Sequence, residues 1–401
     1  MIYEQKGGLL INSSMAAECK VSVVIPVRNE AENLASTLSA FTNQKNLDGN
    51  ALDPRFFELI ILANNCTDDS AEIIKRFQRE HPRLQIHLAE ISPSPEDSNI
   101  GSVRRLLMNE AFFRFKTASR NGVILTTDGD TRVADNWIAA NLREIESGAE
   151  AVGGRIIIAP NELAKMDAKC REFHLQDEEY RLLAAEIEGL IDDLPHDTSP
   201  RHHQHFNGSF AVKTDVYEKA GGVPKVKFLE DVAFYESLQR IDAKFRHSPL
   251  VQVFTSARDV GRSEVGLSYQ LNEWRKLGEC GAEFLVESAY TIEAKLKAKR
   301  KLRGVWRQIV AGGFPTNADA VNLSQNLDVP TQFLVDELDN SATFGSLYER
   351  ILHEQQRIGD WQKRHLTVPL QIALKDLTQI VRHWRIVTER AHYSFSQTSS
   401  R

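Results

Sequence analysis

The sequence predicts an α/β protein, a mostly parallel sheet with helices on both faces, followed by a mainly helical C-terminal region. Three observations predict it. Apolar, β-branched runs alternate with segments of helical periodicity through the first 150 or so residues, polar and acidic residues cluster directly after those runs, and from about Tyr269 onward the pattern is almost wholly helical.

The first run, Lys20 to Pro26 (KVSVVIP), is too apolar throughout for a half-exposed strand and reads as a buried parallel one. Asn29 is placed to cap the helix that follows, with Glu32 three residues on and Leu34, Leu38 and Phe41 on one face. A second buried strand, Phe57 to Ala63 (FELIILA), runs through the polar turn Asn64 to Asp69 into a helix carrying Ile73, Ile74 and Phe77. A third strand near Leu84 to Leu88, a helix from Ser102 to Lys116 and a fourth strand at Val123 to Thr127 extend the alternation. Then come a strand at Ala151 to Ile158, a charged helical stretch from Glu162 to about Ile191, and the loop LPHDTSPRHHQHF. Gly208 to Val212 is strand-like, Gly221-Gly222 forms a turn, and Glu230-Asp231 opens a helix with Val232, Phe234 and Leu238 on its apolar face. We expect a loose N-terminal tail over 1–19, an α/β domain over 20–275 and a helical region over 276–401.

Composition narrows the function. The chain has 401 residues, 42% of them hydrophobic, and carries 49 basic against 55 acidic residues for a net charge of −6, which argues against nucleic acid as a partner. Cys19, Cys66, Cys170 and Cys280 are far apart and form no metal-binding spacing, as expected of reduced thiols in a cytoplasm. The longest apolar runs fall short of the roughly 18 residues of a membrane span, and no signal peptide is apparent.

Ligands of parallel α/β sheets bind outside the carboxyl ends of the strands. There the chain places Val27-Arg28-Asn29-Glu30, Asn64-Asn65-Cys66-Thr67-Asp68 and Asp128-Gly129-Asp130. Asp128 and Asp130, two apart at a strand end, point the same way, and Gly129 between them permits a close approach. Hard carboxylate oxygens in that position suit Mn²⁺ or Mg²⁺ bridging to a diphosphate. A solvated turn is the better explanation of an isolated Asp-x-Asp; its place in the alternating pattern reverses that and favours the site.

Four segments resemble the GT-A nucleotide-sugar glycosyltransferases, in particular family 2: VSVVIPVRNEAENL at 21–34, LILANNCTDDSAEII at 59–74, VILTTDGDTRVADNWI at 123–138 and GGVPKVKFLEDVAFYESL at 221–238. The resemblance implies a GT-A fold and nucleotide contacts from Pro26, Arg28 and Glu30 after the first strand. It implies base contacts after the second, where relatives commonly carry an Asp and this chain has Ala63, leaving Asn64 and Asn65. An Asn there can read a base or satisfy its own turn, and the sequence leaves both open. The resemblance further implies that Asp128 holds ribose or metal, that Asp130 holds the metal, and that one of the pair Glu230-Asp231 is the general base. We assign that role to Asp231, with Glu230 orienting acceptor or donor. Two acids at a helix start are also what capping and the helix dipole favour.

Other residues are expected near the nucleotide. NIGSVRRLLMNEA resembles the family's stretch between strands three and four, which implies Arg104 or Arg105 at phosphate or base, a surface helix pairing with Glu110 being the alternative. Phe254-Thr255-Ser256-Ala257-Arg258 resembles a Thr-Ser-x-Arg segment of some members, which implies Arg258 or Arg262 clamping the leaving diphosphate. Gln270 and Trp274 echo the Q-x-x-R-W motif of processive relatives, but Glu273 stands where Arg belongs, which predicts a non-processive enzyme with Trp274 in the core. His202, His203 and His205 are candidate metal or acceptor ligands, set against a plain polar loop, and the resemblance puts His247 where related GT-A enzymes sometimes place a third metal ligand. The basic run Lys295 to Arg307 is either a solvated helix face or a contact to anionic lipid.

The expectation is therefore a cytoplasmic, metal-dependent, inverting glycosyltransferase that uses a nucleotide-diphosphate sugar and an acceptor hydroxyl on a saccharide, small molecule or lipid-linked group. A retaining synthase and a non-catalytic nucleotide-binding scaffold are the alternatives. A nucleotidyltransferase is disfavoured because no Gly-rich loop follows the first strand.

Overall fold

A computed structural model describes residues 10–94, 96–258, 266–313 and 315–398. The chain divides into two compact units. The first comprises Met1–Met166, Gln204–Leu238 and Ala243–Asn272, and the second Asp167–His203, Gln239–Asp242 and Glu273–Arg401. The segment 167–203, within the stretch expected to form one domain over 20–275, thus folds with the second unit.

In the first unit, β1 (Val21–Val27) is buried at every position, as its run of Val and Ile requires of a central strand. It is followed by α1 (Ala31–Ser39), β2 (Phe57–Asn64), α2 (Ser70–Glu80), β3 (Gln85–Ile91), α3 (Ile100–Thr117) and β4 (Val123–Thr127). β2 pairs parallel with both β1 and β3, and α3 carries the chain back across the sheet to lay β4 parallel on the other side of β1. The strand order reverses between β1 and β4, and in such sheets the crevice that takes ligands lies at the carboxyl ends of the strands on either side of that point.

Next come β5 (Thr131–Val133), α4 (Trp137–Glu146), β6 (Ala151–Ile158) and α5 (Pro160–Lys165). The helix expected from Glu162 to Ile191 is two helices. The second, α6 (Ala168–Ile191) of the other unit, restarts at Asp167, whose carboxylate caps it through the amides of Lys169 and Cys170. Then β7 (Ser209–Lys213) runs antiparallel between β4 and β6, and α7 (Thr214–Lys219) and α8 (Glu230–Arg240) follow. β8 (Phe245–Thr255) pairs parallel with β6 and antiparallel with β5. The order β3-β2-β1-β4-β7-β6-β8-β5 makes a mostly parallel, eight-stranded sheet, the architecture that the resemblance implies. β8 escaped the sequence reading because Pro249 interrupts it; the register shifts there, from Ser248 opposite Gly154 to Gln252 opposite Arg155.

The N-terminal segment expected to be loose is fastened from residue 10 onward. Leu10 and Ile11 donate their amides to the Glu110 carboxylate on α3, and Arg114 and Arg120 donate to carbonyls of Ile11, Ser13, Ala16, Ala17 and Cys19. Burial of Ile11 accompanies these bonds. Arg114 also forks onto Glu58 of β2 at 3.0 and 2.6 Å, and Ser22 of β1 donates to the same carboxylate.

The second unit continues with α9 (Leu267–Cys280), whose last turns belong to it, and with β9 (Leu285–Glu287), α10 (Ala289–Val310), α11 (Asn317–Leu327), α12 (Thr331–Asn340), α13 (Phe344–Ile358), α14 (Asp360–Arg364), β10 (Thr367–Pro369) and α15 (Leu370–Thr398). α10 serves two cores, giving Ile292 and Leu296 to one built on α6 and α15, and Leu302 and Val305 to another with Leu323, Leu334 and Leu347. Several of its basic residues are engaged inside the unit. Lys299 pairs with Glu188 and Asp192, and Arg303 forks onto Asp192 while stacking over the Phe344 ring. Trp274 is buried against Phe284 and His174, a core position as expected. Among the described residues no helix is long and apolar enough to cross a membrane.

Candidate functional site

The crevice is shaped first by two loops that lock together. Asn29 and Asn65 both adopt left-handed backbone conformations (φ 55° and 50°), which Asn tolerates better than most residues, so each strand can turn sharply at its end. Asn29 Oδ1 accepts from the Thr67 amide at 2.8 Å, Asp68 accepts from the amides of Ala31 and Ser70, and the Glu30 amide donates to Ser70 Oγ. Glu30 is thereby held facing the Asp-x-Asp turn. Pro26 is buried in β1, and Arg28 is exposed at the loop's outer edge.

Asn64 and Asn65 spend their amide donors locally. Asn64 Nδ2 donates to the Ser98 carbonyl at 2.9 Å and Asn65 Nδ2 to that of Pro93 at 3.3 Å, both holding the loop after β3. Asn64 is buried, and its Oδ1 has no hydrogen-bond partner.

Asp128 leaves the end of β4 and meets Arg104, which reaches up from α3. One guanidinium nitrogen donates to Asp128 Oδ1 at 2.5 Å, and the other donates to Thr126 Oγ1 and the Thr127 carbonyl. Arg104 is 2% exposed, and its Nε stands 4.0 Å from Glu230 Oε1. Gly101 on the same helix makes this approach feasible: a Cβ there would lie 2.6 Å from the Val226 carbonyl and 3.2 Å from Glu230 Cβ. Arg104 thus binds β4 to the start of α8, while Arg105 makes no bond to these acids among the contacts of the site.

Gly129 lets the next turn press against β1, since a Cβ would sit 3.2 Å from the Pro26 carbonyl and from Glu30 Cγ. Asp130 then accepts from Ser256 Oγ at 2.9 Å and pairs with Arg258 at 2.8 Å, both on Oδ2. Arg258 also forks onto Glu30 with two bonds of 2.7 Å. Arg262 lies outside the described residues.

Leu229, exposed and left-handed (φ 54°), precedes the acidic pair and swings α8 into place. Glu230 is 5% exposed, whereas Asp231 is half-buried. Burial raises the Glu230 pKa against the pull of Arg104, with Asp231 adding to the rise. Burial likewise raises that of Asp231, opposed by the Val232 amide and Arg104 and reinforced by Asp128. Asp130 is raised by burial and by Asp128, and Arg258 works against both.

Thus Glu30, Arg104, Asp128, Asp130, Glu230, Asp231 and Arg258 converge in one electrostatic cluster, and Asn64 and Asn65 stand at its rim as loop-holding groups. Sequence reasoning missed Asn207. Its side chain faces Glu230 and helps hold that group's pKa down, it is 2% exposed, and neither its Nδ2 nor its Oδ1 has a hydrogen-bond partner among the described residues. Asn207 precedes a strand instead of following one: β7 is antiparallel and brings its amino end to this edge, with Ser209 opposite Thr127. The following Gly208 abuts Asp128, where a Cβ would be 3.0 Å from Oδ2.

His247 is not a third metal ligand. It pairs with Gly153 while Thr255 pairs with Ile158, so it lies about 15 Å from the Asp130 end of the sheet. There it is buried against Phe245 and Tyr235. His205 stacks on Tyr235, and His202 and His203 belong to the second unit. Among the described residues no group of three His, Cys, Asp or Glu side chains surrounds a cation position. Asp128 and Asp130 offer the hard oxygens that Mn²⁺ or Mg²⁺ takes, in the number such ions draw from a protein when diphosphate and water complete the shell.

Residues 22–194 match the model of the family described as Glycosyl transferase family 2. Glycosyltransferase AglE of Haloferax volcanii is 29% identical over 138 residues, 34% of this chain, and the chain spans 39% of the length of that relative. Similar solved structures include the mannosyltransferase PcManGT from Pyrobaculum calidifontis in complex with GDP-Man and Mn²⁺ (TM-score 0.40, 12% identity, 93% of this chain and 90% of that one). Another is S. aureus TarS 1-349 in complex with UDP (0.41, 11%, 85% and 92%). A third is glucosyl-3-phosphoglycerate synthase from Mycobacterium tuberculosis in complex with Mn²⁺, UDP and phosphoglyceric acid (0.35, 14%, 71% and 89%).

Proposed function

We infer that this chain, with its family 2 glycosyl transferase region at 22–194, transfers a sugar from a nucleoside diphosphate donor to an acceptor hydroxyl with inversion at the anomeric carbon. The observation that carries the reading is the convergence of two acidic pairs, Asp128/Asp130 and Glu230/Asp231, on one crevice at the switch point of the sheet, with Arg104 between them.

In this reading the nucleoside lies along the loops after β1 and β2, with Pro26, Arg28 and Glu30 on one side and Asn64 and Asn65 on the other. The diphosphate points at Asp128 and Asp130. A divalent cation, Mn²⁺ or Mg²⁺, held by Asp130 with Asp128, would offset the charge that the departing diphosphate acquires. Arg258, paired with Asp130 and 26% exposed, is suited to the same oxygens by its planar fork. Asp231 accepts the proton of the acceptor hydroxyl as its oxygen bonds to the anomeric carbon and the bond from that carbon to the diphosphate breaks. Its partial exposure supports this choice over Glu230, which is enclosed and set to orient the reacting groups.

Calorimetric titration of UDP, GDP, CDP and dTDP, with and without Mn²⁺, into wild type and Asp130→Asn tests the reading. Selective binding that needs both ion and carboxylate is expected. Binding indifferent to both would remove the catalytic assignment and leave a nucleotide-binding scaffold.

A further inference from the structure

The two carboxylates of the Asp-x-Asp turn are each met by an arginine, but the two arginines are held differently. Arg104 is 2% exposed and tied to Thr126 Oγ1 and the Thr127 carbonyl as well as to Asp128, so it has no room to leave. The Arg258 side chain is 26% exposed, and among the described residues its bonds are to carboxylates: two at 2.7 Å to Glu30 and one at 2.8 Å to Asp130 Oδ2. That oxygen also accepts from Ser256.

We propose that Arg258 is a placeholder cation, seated on Asp130 until a divalent ion displaces it, and that its release toward the diphosphate couples the binding of metal to the binding of nucleotide. This rests on the metal-dependent reading above and adds a device to it. An ion bound to Asp130 at about 2.1 Å would stand within a few Å of the guanidinium on the same carboxylate, and two cations that close repel strongly in a partly buried site. Metal alone must therefore break the Arg258–Asp130 pair with nothing given in exchange. Metal arriving with a diphosphate supplies anionic oxygens that match the freed fork. The coupling is reciprocal, so nucleotide tightens metal by the factor with which metal tightens nucleotide.

The test is Mn²⁺ affinity, read from the electron paramagnetic resonance signal of the free ion, with and without UDP or GDP, for wild type, Arg258→Met, Arg258→Lys and Asp130→Asn. Wild type should bind Mn²⁺ weakly alone and at least about tenfold more tightly with its nucleotide. Arg258→Met should bind Mn²⁺ alone about tenfold more tightly than wild type, and the gain from nucleotide should shrink by a similar factor. Arg258→Lys, which keeps a displaceable charge, should stay near wild type for metal alone. Arg258→Gln carries the same expectation as the Met variant should that one fold poorly. Asp130-dependent Mn²⁺ binding that Arg258→Met leaves unchanged, with nucleotide enhancement intact, overturns the coupling and spares the metal reading. No Mn²⁺ binding by wild type with any nucleotide overturns both.

Discussion

The guanidinium of Arg104 meets the carboxylate of Asp128 at 2.5 Å, from a helix that precedes the strand bearing it, and both groups sit under the acidic pair of α8. Arg104 is nearly inaccessible, so its replacement leaves a buried acid cluster without its central cation. Arg104→Gln should lower unfolding free energy by about 1–3 kcal/mol in denaturant titrations, because the 41% exposed Asp128 side chain can turn to water while the buried bonds to Thr126 and the Thr127 carbonyl are lost. A loss below 1 kcal/mol would show that the pair is not structural.

The same arginine also sets a pH limit. As the proposed base Asp231 must be ionised to accept a proton, its pKa is raised mainly by burial, and the Val232 amide and Arg104 hold the rise in check. Activity should therefore fall as pH drops through a value above the ordinary aspartate range, and the acid limb of kcat/KM should move to higher pH when Arg104 is neutralised. An acid limb unmoved in a folded Arg104→Gln enzyme would point to a base beyond Arg104's influence.

Gly208 is not among the residues with positive φ, so alanine costs its backbone little. Its Cβ, however, would lie 3.0 Å from Asp128 Oδ2 and 2.9 Å from Ile156 Cδ1. Gly208→Ala should shift the carboxylate and weaken Mn²⁺-nucleotide binding about tenfold, roughly 1.4 kcal/mol, with a change in melting temperature of a few degrees at most. Calorimetry beside thermal unfolding separates the two effects.

Glu58 is buried, which would raise its pKa, yet hydrogen bonds from His87, Arg114 and Ser22 outweigh burial and pull it down to about 2. A carboxylate depressed in the folded state stabilises fully above its unfolded pKa and loses that contribution as pH falls. Here about 3 kcal/mol should disappear between about pH 4.5 and pH 2. Glu58→Gln should flatten that acid dependence and, by stranding Arg114, destabilise the protein at neutral pH. Urea unfolding followed from pH 7 to pH 3 would show both.

What the sequence made legible follows from how each strand is buried. β1, β2 and β4 are covered on both faces and must be apolar throughout, so they stand out, and the residues at their carboxyl ends led to Asp128, Asp130 and Glu30. Glu230 and Asp231 were found through the resemblance. Asn207 and the seating of Arg258 on Glu30 were not legible, because the first enters on an antiparallel strand and the second depends on a contact between residues 228 positions apart. His247 misled because a strand with an irregular register carries it away from the end where its sequence position seemed to place it. The fastening of residues 10–19 rests on main-chain groups of the tail, which no side-chain pattern announces.

The insertion of β7 also determines what can be cut from this gene. The stretch that carries the family pattern stops at residue 194, before β7 and β8. A fragment ending there would leave β4 with a bare edge and β6 with no neighbour, because β6 pairs only with those two later strands. Such open edges recruit other chains. The recognisable stretch is thus not an autonomous folding module, and an expression fragment that retains the whole sheet must extend through Thr255.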